Sequence, residues 1–524
     1  MARLLRTAIL IALILTGRVA MAQHTYYISK STGSNSNSST QAQSKSTPWA
    51  SLPGMASCNA NCGSYTPVAG DSFIMMGCDT WLASDMPVEW NWSGNASNPI
   101  YIGVDNTWYN TTACPSTWNR PIWSGQKTFI SAHLFYSAWS QNTSYVTLDN
   151  IEIIQFHQGS SDPNIEIVFA GGGPDGGTIS NWTYSNMYIH AWDIVTDGGC
   201  VIFGGVSNMT NTTYQYNVVN GADRTGENPA GGTCDVFYTY YGNSKILNNV
   251  IHDVVNAVLP TSGVEIGGNL IYNIIPTNAG NHCNAFETLG GGTYYIHDNV
   301  IMNMNCGGGE TMFIAASQGE VDYVWNNVIF NLSGATGIAA PPTFGPGNSS
   351  ITVSGVFLYN NTIVLGTSST GGSCFNPSGQ ATGTLITTLN IQNNHCVTET
   401  GPVAAAGLIA LGGTVTNTNN LAMTHGTATS DGYTASQTFA YSPTSSSSPT
   451  VGQGADLTSI WPAGFSSNDT SYACTYSQSA QTVTCPARAP VARPSGGWSL
   501  GAYQSGSAQG SAPNPPTNLT ASVQ

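Results

Sequence analysis

Charge is scarce in this chain. Asp, Glu, Lys and Arg make up only 7% of its 524 residues, and 26 acids against 11 bases leave a formal net charge of −15. Nucleic acid is excluded as a partner, because its binding needs clustered cations. The same shortage argues against strong electrostatic capture of polyanions, although a local patch could still do this. Long apolar runs are also lacking, apart from one at the start. Met1 to Arg6 is basic, an apolar run continues through Leu15, and Ala20-Met21-Ala22 follows. This reads as a secretory signal over 1–22, with the mature chain starting near Gln23. The run is short for a membrane span, and no later segment is apolar enough to cross a bilayer. Long amphipathic helical stretches are missing. So are a Gly-rich phosphate loop, a Ser nucleophile elbow and a His-Glu-x-x-His motif.

What the chain does have is a recurring asparagine. Leu148-Asp149-Asn150-Ile151, Tyr216-Asn217-Val218 and Asn248-Asn249-Val250-Ile251 are followed by Gly268-Asn269-Leu270-Ile271, Asp298-Asn299-Val300-Ile301, Asn326-Asn327-Val328-Ile329, Asn360-Asn361-Thr362-Ile363 and Asn393-Asn394. From Asn217 on, the steps run from 20 to 34 residues. That period means stacked units, each burying a face on its neighbours. The units are short β-rich runs separated by Gly, Asn and Ser turns. Asn tolerates the left-handed backbone region, so it suits such a turn. Stacked from coil to coil, its amides can also bond to one another. A β-propeller would need longer units. The expected organisation is an N-terminal cap and first coils over 23–145, central coils over 146–425, C-terminal coils and loops over 426–504, and a Pro/Ser/Gly-rich tail over 505–524 with disorder expected.

Twelve cysteines, an even number, point to disulfides in an exported protein. Local pairs are expected for Cys374 with Cys396 and for Cys474 with Cys485. Cys58, Cys62, Cys78 and Cys114 form a group whose pairing stays open, with zinc at Cys58-x3-Cys62 as the alternative.

The ends of the chain carry a resemblance. Tyr26-Tyr27-Ile28-Ser29, Gly33-Ser34-Asn35-Ser36-Asn37, Pro48-Trp49-Ala50-Ser51-Leu52 and Ala69-Gly70-Asp71-Ser72-Phe73 resemble the opening of secreted proteins of the pectin-lyase-like superfamily. Tyr145 to Ile153 and the close, Arg493-Pro494-Ser495-Gly496-Gly497-Trp498, are similar to phrases of the same group. The resemblance implies an all-β, right-handed parallel β-helix that is extracellular and monomeric, with a polysaccharide partner. It does not specify an activity. The pectate-lyase-like Trp-x-Asp-His and Arg-x-Pro-x-x-Arg phrases are missing. So is the polygalacturonase-like set of Asn-Thr-Asp, Asp-Asp, Gly-His-Gly and Arg-x-Lys.

Candidate chemistry lies in the central coils. Aligning them on a phenylalanine stacks Cys200, Cys234, Asn256, Cys283 and Glu310, which makes Cys200–Cys234 a feasible bridge between coils. With Ile202, Val236 and Met312 pointing inward, Asp235, Asn284, His282 and the phenylalanines form an outward strip suited to sugars. The opposite orientation buries Asp235 and exposes Glu287 and Glu310. Glycosidic hydrolysis needs two carboxylates, for which Asp235, Glu287 and Glu310 are candidates, with His282 tuning a pKa. Asn284, Phe237, Phe286 and Trp192 are the expected substrate contacts. A lyase would instead need a base and a cation, and Arg224 and Lys245 are the cations of the central coils. Asp223, Glu227 and Asp235 could hold calcium. A glycan-binding protein without catalysis is the remaining class. His190 and His252, in a column with Tyr272, Met302 and Phe330, are expected to be structural.

Overall fold

The computed structural model describes residues 23–128, 133–138, 140–158, 165–169, 177–194, 200–204, 209–225, 234–239, 242–274, 283–304, 310–332, 341–345, 351–366, 372–379, 382–437, 439–468, 475–477, 482–484, 493 and 497–504. These form a parallel β-helix, as the sequence led us to expect. A first sheet of thirteen parallel strands runs from Thr25–Ile28 to Gly412–Thr418. A second sheet runs beside it from Thr80–Trp81 to Leu421–Met423, and a third, of eight strands, from Ile165–Phe169 to Asn376–Pro377. The eight coils that begin with the first-sheet strands Val146–Asp149 to Val353–Tyr359 each contribute one strand to each sheet in turn.

Three inward columns fill the interior. The first sheet supplies Ile246, Ile266, Ile296, Val324, Leu358 and Ile391 in register. The second supplies Ile251, Ile271, Ile301, Ile329 and Ile363. The third supplies Phe203, Phe237, Val258, Phe286 and Met312. All of them are buried. Each such side chain contributes roughly 1.5–3 kcal/mol of hydrophobic stabilisation before chain entropy is counted. β-branched residues dominate the first two columns because they suit a pleated surface that is covered on its inner side.

The corner between the first and second sheets separates two jobs that the sequence combines in one asparagine. The first corner residue takes the left-handed conformation. It is Asn186, Tyr216, Asn248, Gly268, Asp298, Asn326, Asn360, Asn393 or Asn419 in successive coils. The next residue points inward and builds the ladder. Asn217, Asn249, Asn269, Asn299, Asn327, Asn361 and Asn394 each donate from Nδ2 to Oδ1 of the following member at 2.9–3.0 Å, ending at Asn420. The same Oδ1 atoms accept the backbone N–H of the preceding member, and each Nδ2 also reaches a strand carbonyl, such as Ile266 O from Asn299. Every polar atom of the buried amides is thus used, which burial requires.

The C-terminal segment returns across the first sheet. Arg493 Nη2 donates to Asn326 Oδ1 at 2.8 Å, Asn360 Nδ2 donates to Ser499 O at 2.8 Å, and Asn393 exchanges two bonds with the Ala455 backbone. Arg493 also lies over Trp498, 4.5 Å from its ring centroid.

Cys374–Cys396 is a disulfide as expected, and Cys58–Cys62 and Cys78–Cys114 are two more. The bond between Cys58 and Cys62 removes the thiolates that zinc would need. Cys200 and Cys234 are register partners. Cys474, Cys485 and residues 1–22, where a signal segment is expected, lie outside the described residues. No described helix is long and apolar enough to cross a membrane.

Candidate active site

The expected alignment of the third sheet holds for two coils and then slips by one residue. Cys200 faces Cys234 and Phe203 faces Phe237, but Asp235, not Cys234, faces Asn256. Phe237 then faces Val258, and Phe286 faces Met312 rather than Phe313. The corrected register keeps Val258 and Met312 in the apolar column. It also stacks Asp235, Asn256, Asn284 and Glu310 on successive coils.

Hydrogen bonds join this stack. Asn256 Nδ2 donates to Asp235 Oδ1 at 2.9 Å, and Asn256 Oδ1 accepts the Asn284 N–H at 2.9 Å. Asn284 Oδ1 accepts the Glu310 N–H at 2.9 Å, while Asn284 Nδ2 donates to Glu287 Oε2 at 2.7 Å. Two amides therefore bridge two carboxylates. Burial pushes the Asp235 carboxyl up to about 6, and the Glu287 charge adds to the rise; the bond from Asn256 pulls the other way and is outweighed. One carboxyl that keeps its proton close to neutral pH, beside a second carboxylate, is the pairing that acid–base chemistry requires.

The phenylalanines do not join the strip. Phe237, Phe286 and Trp192 are fully buried, and Phe203 stacks on Phe237 at 4.8 Å inside the helix. They shape the site from beneath and cannot touch a ligand, so their expected role as substrate contacts is corrected. The outward orientation of the phenylalanines fails because three large rings in register fill the interior better than they would cover a surface. Asn284 is buried as well and spends its amide on the Glu287 carboxylate and the Glu310 backbone N–H, so it holds the Glu287 carboxylate in place. His282 and Glu227 lie outside the described residues.

The two lyase cations are separated. Arg224 Nη1 donates to the carbonyls of Gly221 and Asp253 at the corner between the second and third sheets. Gly221 is needed there, because a Cβ would run into the Asp253 carbonyl. Lys245 lies on the first sheet and pairs with Glu265 at 2.7 Å. The calcium set is also divided. Asp223 bonds to His190 Nδ1 and the Ala191 N–H on the second-sheet side, whereas Asp235 belongs to the third sheet. Among the described residues no group of three His, Cys, Asp or Glu side chains could hold a metal ion.

Three features lay beyond the sequence reading. Asn256 faces Asp235 only in the slipped register. His190 bridges Glu152 at 3.0 Å and Asp223 at 2.7 Å. Burial lowers the His190 pKa, but the bonds to the two carboxylates outweigh it and leave the pKa raised. In its column Asn220 stands between His190 and His252. The third feature, His157 Nδ1, meets Asp193 Oδ2 at 2.9 Å. A charged residue every few coils would have been the only sequence signal for these contacts.

No family model and no curated protein matches the chain. Among solved structures it is similar to a lacto-N-biosidase of family GH136 from Eubacterium ramulus, at 14% identity over 76% of this chain and 68% of that one, with a TM-score of 0.44. It is also similar to a rhamnogalacturonan lyase (14%, 76% and 87%, TM-score 0.43) and to a pectate lyase (15%, 94% and 98%, TM-score 0.39). Likenesses this loose say nothing about activity.

Proposed function

We propose that the protein cleaves an extracellular polysaccharide by hydrolysis at the third-sheet stack. The observation that carries this reading is the Asp235 carboxyl, raised to about 6, joined through Asn256 and Asn284 to Glu287. Asp235 is the general acid. It gives its proton to the glycosidic oxygen as the bond to the anomeric carbon breaks. Glu287 supplies the second function, either attacking the anomeric carbon or drawing a proton from the attacking water. Asn284 keeps Glu287 oriented, and Asn256 keeps Asp235 oriented.

The test is a polysaccharide panel incubated with the protein, with calcium or with EDTA. New reducing ends without the ultraviolet absorbance of an unsaturated uronate are expected. Absorbance together with reducing ends would make the protein a lyase and shift attention to Arg224 and Lys245. Retention on one glycan without cleavage would make it a binding protein. Glu287→Gln should lose turnover while keeping affinity. Unchanged turnover in Asp235, Glu287 and Glu310 variants would remove the site assignment.

A further inference from the structure

Of the four lysines, Lys30, Lys45 and Lys245 pair with Asp85, Asp105 and Glu265 at 2.6–2.7 Å. Lys127 is different. Its Nζ donates to the Thr225 hydroxyl at 2.6 Å, and among the described residues no carboxylate lies within ion-pair distance. The chain of contacts continues from there. Thr225 Oγ1 donates to Asp193 Oδ1 at 3.0 Å, and Asp193 Oδ2 meets His157 Nδ1 at 2.9 Å. Asp193 pairs in parallel with both His157 and Thr225, so three coils present these side chains side by side. Asp193 occupies one ring nitrogen of His157 and so turns Nε2 away from itself. The His157 and Asp193 side chains are 20% and 16% exposed.

This row lies at the end of the second-sheet strands, where the chain turns toward the third sheet. Asp235 and Asn256 begin the third-sheet strands on the other side of the same corner. In the Asn256 coil only Asp253, Val254 and Val255 separate the two sheets. A ligand that lies across the corner would therefore meet both groups.

We propose that Lys127, Thr225, Asp193 and His157 form a second sugar-binding subsite, which takes the hydroxyls of a neutral glycan whose cleaved bond sits at Asp235 and Glu287. This rests on the hydrolase reading above. The chemistry favours a neutral ligand. The ammonium and the imidazole offer donors, and the Asp193 carboxylate offers acceptors. Lys127 and Asp193 balance in charge, and Glu152 and Asp223 nearby would oppose a polyanion. Charge-assisted bonds of this kind are the stronger ones.

The experiment uses the full chain carrying Asp235→Asn, so that cleavage does not confuse binding. Calorimetry compares neutral hexasaccharides of glucan, xylan and galactan with their disaccharides and with a hexagalacturonate. Adding Lys127→Met or His157→Gln is expected to weaken binding of one neutral hexasaccharide at least fivefold. Lys127→Arg should restore most of it. The disaccharide, too short to cross the corner, should bind all variants alike. Thr225→Val breaks the same chain from another residue and gives the same loss if Lys127→Met fails to fold. Equal hexasaccharide binding by all variants would overturn the subsite and leave Asp235 and Glu287 standing. No binding of any glycan would overturn both. Tightest binding of the hexagalacturonate, lost in Lys127→Met, would overturn the neutral-ligand assignment.

Discussion

At the corner between the first and second sheets, eight asparagines stack from Asn217 to Asn420. At the corner between the second and third, Asn256 and Asn284 stack between Asp235 and the Glu287–Glu310 end of the site. Both use the same device, an amide on each coil passing a hydrogen bond to the next. The first stack is closed, because each amide gives and receives within the ladder and nothing ionises. The second ends on carboxylates, so its satisfaction depends on a proton. A closed amide stack can only stabilise, whereas one terminated by carboxylates has a chemical state that pH and a ligand can change.

The sharpest way to break the comparison is to remove the chemistry while keeping the shape. Asp235→Asn should abolish turnover, by a factor of about 10³ or more, yet stabilise the fold at pH 7.5. The folded state holds the Asp235 proton to about pH 6, whereas the unfolded chain releases it near pH 3.9. Across that window the native state binds more protons, so stability falls as pH rises, and the amide removes the loss. The gain should be on the order of 2 kcal/mol at pH 7.5 and vanish near pH 4, read from denaturant melts at both values. No gain would mean that the carboxyl ionises freely. The closed ladder should respond with the opposite sign. Asn299→Ala strands the amide groups of Asn269 and Asn327 and the Ile266 carbonyl. It should cost about 3–5 kcal/mol at any pH between 5 and 8.

A second pair of carboxyls sharpens the same contrast. Glu320 and Asp322 are fully buried, and Glu320 accepts the Ala315 and Ser317 N–H groups. Burial raises both carboxyls. Asp322→Asn should therefore also stabilise increasingly as pH rises, with catalysis unchanged, read from denaturant melts at pH 5 and pH 8. The smallest effect belongs to Asn419→Gly, which keeps the left-handed corner conformation. It removes one exposed 3.4 Å bond to Gln453 O and should change stability by less than about 0.5 kcal/mol.

The fold was legible because a period of 20 to 34 residues and alternating β-rich runs leave few architectures. Asn249 and Asn327 advertise the coil corner directly. The site was legible only in part. Asp235, Glu287 and Glu310 stand out in a chain with little charge; Asp235 and Glu310 lie in one stack, and Glu287 is bonded to its Asn284. Their exact neighbours were not readable. Phenylalanine spacing suggests that Phe286 continues into Phe313, but Met312 fills the interior equally well, and one residue of slip changes every partner. The separation of Arg224 from Lys245 was hidden for a related reason, because nearness in sequence does not say which of three sheets a residue faces.

The returning C-terminal segment sets an order on assembly. Arg493 meets Asn326 across 167 residues of sequence, and Asn360 meets Ser499 across 139. The coils around Asn217 and Asn249 can close as soon as their own chain exists. Those around Asn326, Asn360 and Asn393 keep one rim open until the last tenth of the protein arrives. During synthesis the molecule therefore has a finished front and an unfinished back, and the long loop closed last is the slow one. Shortening the chain before Ala455 should leave the early coils intact and expose Trp325 and Tyr359 on the late ones, because Trp461 and Phe465 cover them.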